Sequence, residues 1–353
     1  MAISAGKLWG YRRLSDEGGR FKMVAVDQRP PIKALIREKL GTDEAPFEEV
    51  CAFKRLLAET LGSRATALLL DPHFAYPAAI DAVSPRQGLL LTLEDSVFRD
   101  TPEGRLSNEI EGWSVPKIRR IGGDGVKVLA WYRPDAAPSV VEHQQRFVRA
   151  IGEACREADI CFLLELLVYP LPGDSGQTTD YVEHREKRPQ LVVDSIRAFA
   201  DPAFGVDIFK LESPVAAEAV PEQGADGSDE AQAWFDAVGA ASPVPWVMLS
   251  AGCSAAAFER VLRHAYAAGA SGYLAGRAIW LQAAQAYPDK DAMRRALVGE
   301  SAAYMDRLNA LTDQAARPWF DHPGFGGDIR PAGADRPGFN TRYGRETVGE
   351  AAE

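Results

Sequence analysis

Three charged side chains interrupt apolar segments of the sequence, where an isolated charge is costly to bury. Lys127, Glu165 and Lys210 are each flanked on both sides by apolar residues, in GVKVLAW, FLLELLVY and DIFKLES. Any one of them could reach the protein surface or form a structural ion pair. Because perturbed ionisable groups gather at active sites, the three together predict a functional cluster.

Two lysines and a glutamate are suited to cleaving a carbon–carbon bond next to a carbonyl group. An amine is nucleophilic only when it is unprotonated, and burial or a nearby second cation lowers the pKa of a lysine. One lysine can therefore form an imine while the other keeps it unprotonated and polarises substrate oxygens. The glutamate can transfer the proton. From the residues alone, the choice between Lys127 and Lys210 as the imine-forming lysine is open.

The elements that must position these side chains are short apolar strands separated by amphipathic helices. Continuous runs of Val, Ile and Leu are typical of strands buried on both faces. Eight such runs end near Asp27, Asp71, Glu94, Trp131, Tyr169, Ser213, Ser250 and Gly276. Between them, segments such as 44–62, 138–158 and 254–270 have apolar residues at helical spacing. The alternation predicts an α/β fold, the (β/α)8 TIM barrel, in preference to an open doubly wound sheet.

Two segments fall outside this repeat. Residues 95–115 contain Asp, Pro, Gly and Asn, and we expect an irregular connection or excursion before the fourth strand. Residues 317–353 are rich in Gly and Pro, which predicts an extended or partly disordered tail after a barrel domain of residues 1–316. The tail could also reach a neighbouring subunit.

A set of residues at the predicted mouth of the barrel could bind an anion, because barrel enzymes place their sites at the carboxyl ends of the strands. Glycine lets the backbone approach a ligand, and the loops after strands seven and eight commonly hold phosphate. The candidates follow the first, seventh and eighth strands, and they are Arg29, Ser250, Gly252, Gly276 and Arg277. Each glycine alone could be a plain turn, but together with Arg277 they predict a phosphate site.

In these segments the sequence resembles the tagatose-1,6-bisphosphate aldolase family, a group of class I aldolases on the (β/α)8 barrel. The resemblance runs from about residue 20 to about residue 290. It rests on AVDQR (25–29), GLLLTLE (88–94), GVKVLAWY (125–132), FLLELLVY (162–169), DIFKLESPV (207–215), LSAGCS (249–254) and LAGRAIW (274–280), in the family's order. The resemblance implies that Lys210 is the Schiff-base lysine, Glu165 the acid/base and Lys127 the second lysine.

The resemblance also implies a substrate and its contacts. It implies that Asp27, Gln28 and Arg29 line the mouth, with Asp27 as a further catalytic residue that orients a hydroxyl group or the lysine. It also implies that Ser250 and Arg277 hold phosphate. The implied reaction cleaves a phosphorylated ketose, such as tagatose or fructose 1,6-bisphosphate, to dihydroxyacetone phosphate and an aldehyde without a metal. The family resemblance also makes a homo-oligomer possible.

One departure from the family pattern makes the substrate less certain than the reaction type. Pro30 and Pro31 follow AVDQR where the family usually has small residues, and they remove two amide donors and stiffen the loop beside Arg29. A sulfonated sugar phosphate, such as 6-deoxy-6-sulfofructose 1-phosphate, is therefore an alternative substrate.

Two other functions stay open at this point. A barrel that isomerises or decarboxylates a phosphorylated substrate could use lysine and glutamate without an imine. A non-catalytic barrel could bind a sugar phosphate without turning it over. The five histidines are far apart and neither HExxH nor CxxC occurs, so we predict no zinc site.

The overall composition limits which classes of molecule the protein can bind. The formal net charge of −10 disfavours binding to nucleic acid or to an anionic lipid surface. The sequence contains no run of about 18 apolar residues, so it predicts no membrane span. The first residues do not resemble a signal peptide. The four cysteines are scattered, which indicates reduced thiols. We expect a cytoplasmic protein whose partner is a small sugar phosphate.

Overall fold

The computed structural model describes residues 3–171, 173–174, 183–325, 329–335 and 337–344 of the 353-residue chain. Its strands are, in chain order, β1 (Phe21–Ala25), β2 (Ala67–Leu70), β3 (Gly88–Thr92), β4 (Arg99–Thr101), β5 (Gly104–Leu106), β6 (Gly125–Trp131), β7 (Cys161–Leu167), β8 (Ile208–Leu211), β9 (Trp246–Met248) and β10 (Gly272–Ala275). Eight of them are parallel and close into a barrel in the order β1, β2, β3, β6, β7, β8, β9, β10 and back to β1. The predicted (β/α)8 barrel is confirmed, and each predicted strand coincides with a barrel strand.

Helices surround the barrel and connect its strands. In chain order they are α1 (Ala5–Leu14), α2 (Pro30–Leu40), α3 (Phe47–Leu61), α4 (Ala75–Ala79), α5 (Val115–Arg120), α6 (Pro138–Glu157), α7 (Pro189–Ala198), α8 (Ser228–Ala241), α9 (Ala255–Ala267), α10 (Arg277–Ala284), α11 (Lys290–Ala296), α12 (Ala302–Ala315) and α13 (Phe339–Arg342). The three helical segments predicted from apolar spacing correspond to α3, α6 and α9.

The proline pair after the first strand opens a helix, which corrects the expectation of a stiffened loop. Pro30 and Pro31 are the first two residues of α2. The first amides of a helix have no intrahelical partner, so proline loses no hydrogen bond there. Arg29 directly precedes this helix, at the mouth of the barrel.

Alternate residues of each strand face the inside of the barrel, where they form a core of their own. The apolar residues of that inner core include Met23, Leu69, Leu90, Leu163, Ile208, Val247 and Leu274. Glu165 lies two residues beyond Leu163, and Lys210 lies two residues beyond Ile208, so both side chains point inward. They are also opposite each other in the register of β7 and β8. The pleat of the strands therefore brings the predicted site residues together above an apolar layer.

Helix α1 and the segment after α12 cover the amino-terminal end of the barrel. Tyr11 stacks on Trp319 at a ring-centroid distance of 4.7 Å and meets the ring of Phe325 edge-on at 5.6 Å. Both partners are buried and lie in the region 317–353, where the sequence predicts a tail. The boundary at residue 316 stays a prediction, and positions 326–328, 336 and 345–353 of the tail lie outside the described residues.

The segment between β3 and α5 is more regular than the sequence predicts, because β4 and β5 form an antiparallel hairpin. Asp95 N donates to Asn108 O at 2.8 Å, and Ile110 N donates to Leu93 O at 3.0 Å, which closes the base of the hairpin. Strands of three residues are too short to show an alternating pattern, so the sequence gives little sign of them.

Within the described residues, no helix has both the length and the hydropathy needed to cross a membrane. The four cysteines are free thiols. Burial raises the pKa of Cys155 and Cys161, so both thiols stay protonated at neutral pH and neither is a candidate nucleophile.

Candidate active site

Lys127, on β6, lies at the centre of a buried cluster of charges. Its Nζ is 3.1 Å from Asp27 Oδ2, 2.6 Å from Glu94 Oε1 and 2.9 Å from Glu165 Oε2. The lysine side chain is 1% exposed. A charge buried this deeply is tolerated only when partners of opposite charge surround it. The three carboxylates come from β7 and from the residues just beyond β1 and β3, so closure of the barrel assembles the cluster.

Glu165 joins the two lysines. Its Oε2 lies 2.9 Å from Lys127 Nζ and also 2.9 Å from Lys210 Nζ. The glutamate side chain is fully buried and that of Lys210 is 4% exposed. Because a general acid or base must lie within hydrogen-bond reach of the reacting group, Glu165 can exchange protons with a ligand on either lysine.

The carboxylates of the cluster differ in their protonation equilibria. Burial on its own would raise the pKa of Asp27, but Lys127 and Lys210 lower it well below the ordinary range. Burial raises the pKa of Glu94, and Lys127 and Arg29 offset only part of that rise. Neighbouring carboxyl groups whose pKa values are shifted apart are typical of sites with divided acid and base roles.

The β1 side of the mouth offers polar atoms that have no hydrogen-bond partner among the described residues. Arg29 Nη2 donates to Glu94 O at 2.9 Å, whereas Arg29 Nε and Nη1 are buried without a hydrogen bond. The same holds for Gln28 Oε1 and Glu94 Oε2. Buried polar groups are normally satisfied, so this set indicates a place for a polar ligand.

The loop after β9 and the start of α10 form a second polar edge of the mouth. Ser250 begins a turn that Cys253 N closes by donating to Ser250 O at 2.9 Å. Gly252 has a φ of +83°, and a Cβ there would lie 3.1 Å from Arg277 Cζ. The left-handed backbone and the packing of the guanidinium both favour glycine at this position.

Gly276, which directly precedes Arg277, also allows its backbone to approach neighbouring residues closely. A Cβ at Gly276 would lie 2.7 Å from Ala25 O and 2.7 Å from Gln28 Nε2. Arg277 is the first residue of α10, so its backbone lies at the positive end of the helix dipole. The structure therefore brings the predicted phosphate residues of β9 and β10 next to those of β1.

Some residues of the site have no role in the prediction from sequence. Thr92 Oγ1 donates to Asp27 Oδ2 at 3.1 Å, and Glu94, noted only as the end of a strand, contacts Lys127. The alternation in GLLLTLE was a usable signal, since Thr92 and Glu94 lie two residues apart and share one face of the strand.

Lys54 on α3 is a further buried lysine, and the prediction from sequence missed it. Its Nζ donates to Val26 O at 2.8 Å and forms an ion pair with Asp71, and both side chains are fully buried. It fixes the backbone next to Asp27. Its spacing to Val50 and Leu57 places it on the apolar face of the helix, which was the available signal.

Comparison with known proteins is consistent with this geometry. The DeoC/LacD family of aldolases matches residues 21–282. The chain is 35% identical over 337 residues to a tagatose 1,6-diphosphate aldolase of Listeria monocytogenes, which covers 93% of this chain and 97% of the relative. Proteins of the same description from Streptococcus pneumoniae (34% identity, 90% and 99% covered) and Lactococcus lactis (33%, 91% and 99%) are similarly close.

Solved structures of aldolases have the same fold. A fructose-bisphosphate aldolase of Plasmodium falciparum superposes with a TM-score of 0.61 at 12% identity, over 90% of this chain and 98% of that one. A Schiff-base-forming fructose-1,6-bisphosphate aldolase gives a TM-score of 0.51 at 16% identity, over 86% and 99%. At these identities the likeness concerns the fold alone. On the family match and relatives at 33–35% identity, the chain belongs to the DeoC/LacD family of aldolases and is a carbon–carbon lyase.

Proposed function

We propose that the protein is a class I aldolase that cleaves a phosphorylated ketose through a Schiff base on Lys210. The products are dihydroxyacetone phosphate and an aldehyde. The observation that carries the proposal is the single oxygen of Glu165 that lies 2.9 Å from each of the two buried lysines. It gives a nucleophile, an acid/base and a second cation in contact, with no metal needed for the chemistry.

The surroundings of the two lysines favour Lys210 as the nucleophile. Lys127 contacts three carboxylates, which stabilise its charged, non-nucleophilic form. Among the described residues, Lys210 forms one ion pair, with Glu165. Lys210 thus contacts fewer carboxylates than Lys127, and Glu165 Oε2 lies within hydrogen-bond distance of its Nζ.

The reaction begins when Lys210 Nζ attacks the C2 carbonyl carbon of the open-chain ketose, and loss of water gives an iminium ion. Glu165 takes the proton of the C4 hydroxyl group as the C3–C4 bond breaks, and the bonding electrons move into the iminium. The aldehyde leaves first. The remaining enamine is then protonated at C3, and water releases dihydroxyacetone phosphate and regenerates the amine of Lys210. Asp27 would orient a substrate hydroxyl or the lysine.

The two polar edges of the mouth would hold the two anionic ends of the substrate. Ser250, Gly252, Gly276 and Arg277 would bind the phosphate on the dihydroxyacetone side, where the start of α10 adds its dipole. Arg29, two of whose buried nitrogen atoms form no hydrogen bond with the described residues, would bind the anion on the aldehyde side together with Gln28. Relatives described as tagatose 1,6-diphosphate aldolases support a substrate with two phosphate groups.

A cleavage assay tests this function and its substrate. Release of dihydroxyacetone phosphate is measured with tagatose 1,6-bisphosphate, fructose 1,6-bisphosphate and 6-deoxy-6-sulfofructose 1-phosphate, each with and without EDTA. We expect cleavage of a bisphosphate that EDTA leaves unchanged. Preference for the sulfonated sugar would reassign the aldehyde-side anion to sulfonate, and activity lost with EDTA and restored by a metal would contradict the class I mechanism.

A further inference from the structure

Strand β8, which carries Lys210, is flanked by acidic residues that bind β7. Asp207 directly precedes the strand, and Glu212 directly follows it. Phe162 N donates to Asp207 Oδ2 at 2.8 Å, and Val168 N donates to Glu212 Oε1 at 2.7 Å. Each carboxylate therefore extends the hydrogen bonding between β7 and β8 at one end of the strands.

A buried lysine accompanies each of these carboxylates. Lys7 Nζ lies 2.8 Å from Asp207 Oδ2, and Lys187 Nζ lies 2.8 Å from Glu212 Oε2. We call Asp207 and Lys7 the lower pair, and Glu212 and Lys187 the upper pair. Lys187 also contacts Glu183 Oε1 at 2.6 Å. The two pairs match in chemistry and in their contact with β7, but they lie at opposite ends of the barrel.

The upper pair lies next to the part of the sheet that carries the proposed catalytic residues. Glu165 is opposite Lys210 in the register, and one further backbone pair follows before β7 and β8 separate. The hydrogen bond from Val168 N to Glu212 lies just beyond it. Because local opening begins at the ends of elements, this contact limits the movement of Lys210 Nζ relative to Glu165 Oε2.

The ion pair with Lys187 favours the charged form of Glu212, which is the better acceptor for the hydrogen bond from Val168 N. The side chains of Lys187 and Glu212 are 0% and 2% exposed. Burial raises the pKa of Glu212, and Lys187 offsets only part of that rise. Burial would lower the pKa of Lys187, but Glu212 and Glu183 raise it overall. An ionised carboxylate accepts a shorter and stronger hydrogen bond from an amide than a neutral group does.

We propose that Glu212, held by Lys187, is a positioning residue that fixes Lys210 against Glu165 during imine formation and proton transfer. The inference rests on the proposed function and adds residues that act without contacting the substrate. Glu212 acts through the ends of β7 and β8. The lower pair has the same chemistry but serves stability, because α1 covers its end of the barrel and Tyr11 Oη also donates to Asp207 O.

The test compares Glu212→Leu with Asp207→Leu, its matched control on the same strand. We expect Glu212→Leu to lower kcat and the rate of borohydride trapping on Lys210 by about 10- to 100-fold, since a displacement near 1 Å can cost that much. The KM should stay within about twofold, because the phosphate contacts come from β9, β10 and β1. Asp207→Leu should lower the Tm to a similar degree and leave kcat of the folded protein within about twofold.

A second series keeps the inference testable if Glu212→Leu fails to fold. Lys187→Met leaves the carboxyl group of Glu212 buried without its cation, which weakens its hydrogen bond to Val168 N or displaces it, so kcat should fall. Adding Glu212→Gln to that variant replaces the carboxyl group and keeps an oxygen for Val168 N, so kcat should rise again. A pair with a purely structural role would change the Tm across this series and leave kcat of the folded protein constant.

The outcomes separate this inference from the proposed function. Wild-type kcat in folded Glu212→Leu and in Lys187→Met, or an equal loss in Asp207→Leu, would overturn the positioning role and leave the aldolase mechanism standing. If the wild-type protein cleaves its ketose and no adduct forms on Lys210, the proposed mechanism fails and the positioning role fails with it.

Discussion

The two ends of the barrel both contain buried lysines, but they arrange the opposing charges differently. At the amino-terminal end, Lys7 of α1 is paired with Asp207 at 2.8 Å, and Tyr11 of the same helix stacks on Trp319. At the carboxyl-terminal end, Lys127 contacts three carboxylates. One of them, Glu165, is shared with Lys210.

This difference separates a charge that stabilises the fold from one that is available for reaction. A lysine that is paired with its own carboxylate is stabilised in its protonated form. Glu165, by contrast, contacts two lysines and lies within reach of a ligand on either of them. The buried polar atoms that form no hydrogen bond with the described residues, on Gln28, Arg29 and Glu94, belong to the same end. The charges of the mouth are thus arranged for a ligand, and those of the covered end are satisfied within the protein.

The largest expected effect comes from removing the proposed nucleophile. Lys210→Met should lower kcat by at least about 10⁴-fold, because no imine can form. Its Tm should change little or rise, because a neutral, apolar side chain of similar length replaces a buried charge. Kinetics of ketose cleavage and thermal unfolding measure the two quantities, and near-normal turnover would remove Lys210 from its role.

The next effect distinguishes proton transfer from imine formation. Glu165→Gln should slow turnover by about 10²- to 10³-fold, because the amide cannot accept the proton of the C4 hydroxyl group. Trapping of the imine by borohydride should slow much less. Single-turnover cleavage and trapping rates, measured on the same preparation, give the comparison. Equal slowing of both steps would mean that Glu165 serves mainly to activate Lys210.

The covered end should show the opposite pattern. Lys7→Met leaves Asp207 buried without its cation and should lower the free energy of unfolding by about 3 kcal/mol. Turnover of the folded enzyme should stay within about twofold of wild type. Urea unfolding and steady-state kinetics test the pair of statements, and a loss of kcat at unchanged stability would break the contrast between the two ends.

The smallest expected effect is a loss of stability in mild acid, caused by a buried histidine at the covered end. Burial lowers the pKa of His322 from its ordinary 6.5 to about 4, and Gly324 N donates to its Nδ1 at 3.1 Å. Between these two values the unfolded chain binds the proton more readily, so the stabilisation is complete above pH 6.5 and is lost as the pH falls towards 4. His322→Asn keeps an acceptor and should weaken this dependence. Tm values at pH 7 and pH 5 check it, and identical slopes for both proteins would refute it.

The barrel and the centre of its site follow from local patterns in the sequence. Continuous apolar runs identify the strands, and alternation along each strand determines which side chains face inward. Lys127, Glu165 and Lys210 could therefore be placed together, because each is a polar residue at an inward position of a strand. Gly252 and Arg277 could be placed at the mouth because they follow the carboxyl ends of strands.

The partners of these residues could not be predicted in the same way. The contact between Lys187 and Glu212 joins a loop to a strand end, and no periodicity relates the two positions. The contact of Glu94 with Lys127 depends on the register between β3 and β6. Trp319 lies in a segment rich in Gly and Pro, yet it is buried because tertiary packing on Tyr11 outweighs local composition.

Reductive trapping of the imine tests the central claim most directly. The protein is incubated with dihydroxyacetone phosphate and borohydride, with and without EDTA, and the modified peptide is identified by mass spectrometry. We expect one reduced adduct, on Lys210, in equal yield under both conditions. An adduct on Lys127 would reverse the roles of the two lysines, and no adduct on a preparation that cleaves a ketose phosphate would contradict the Schiff-base mechanism.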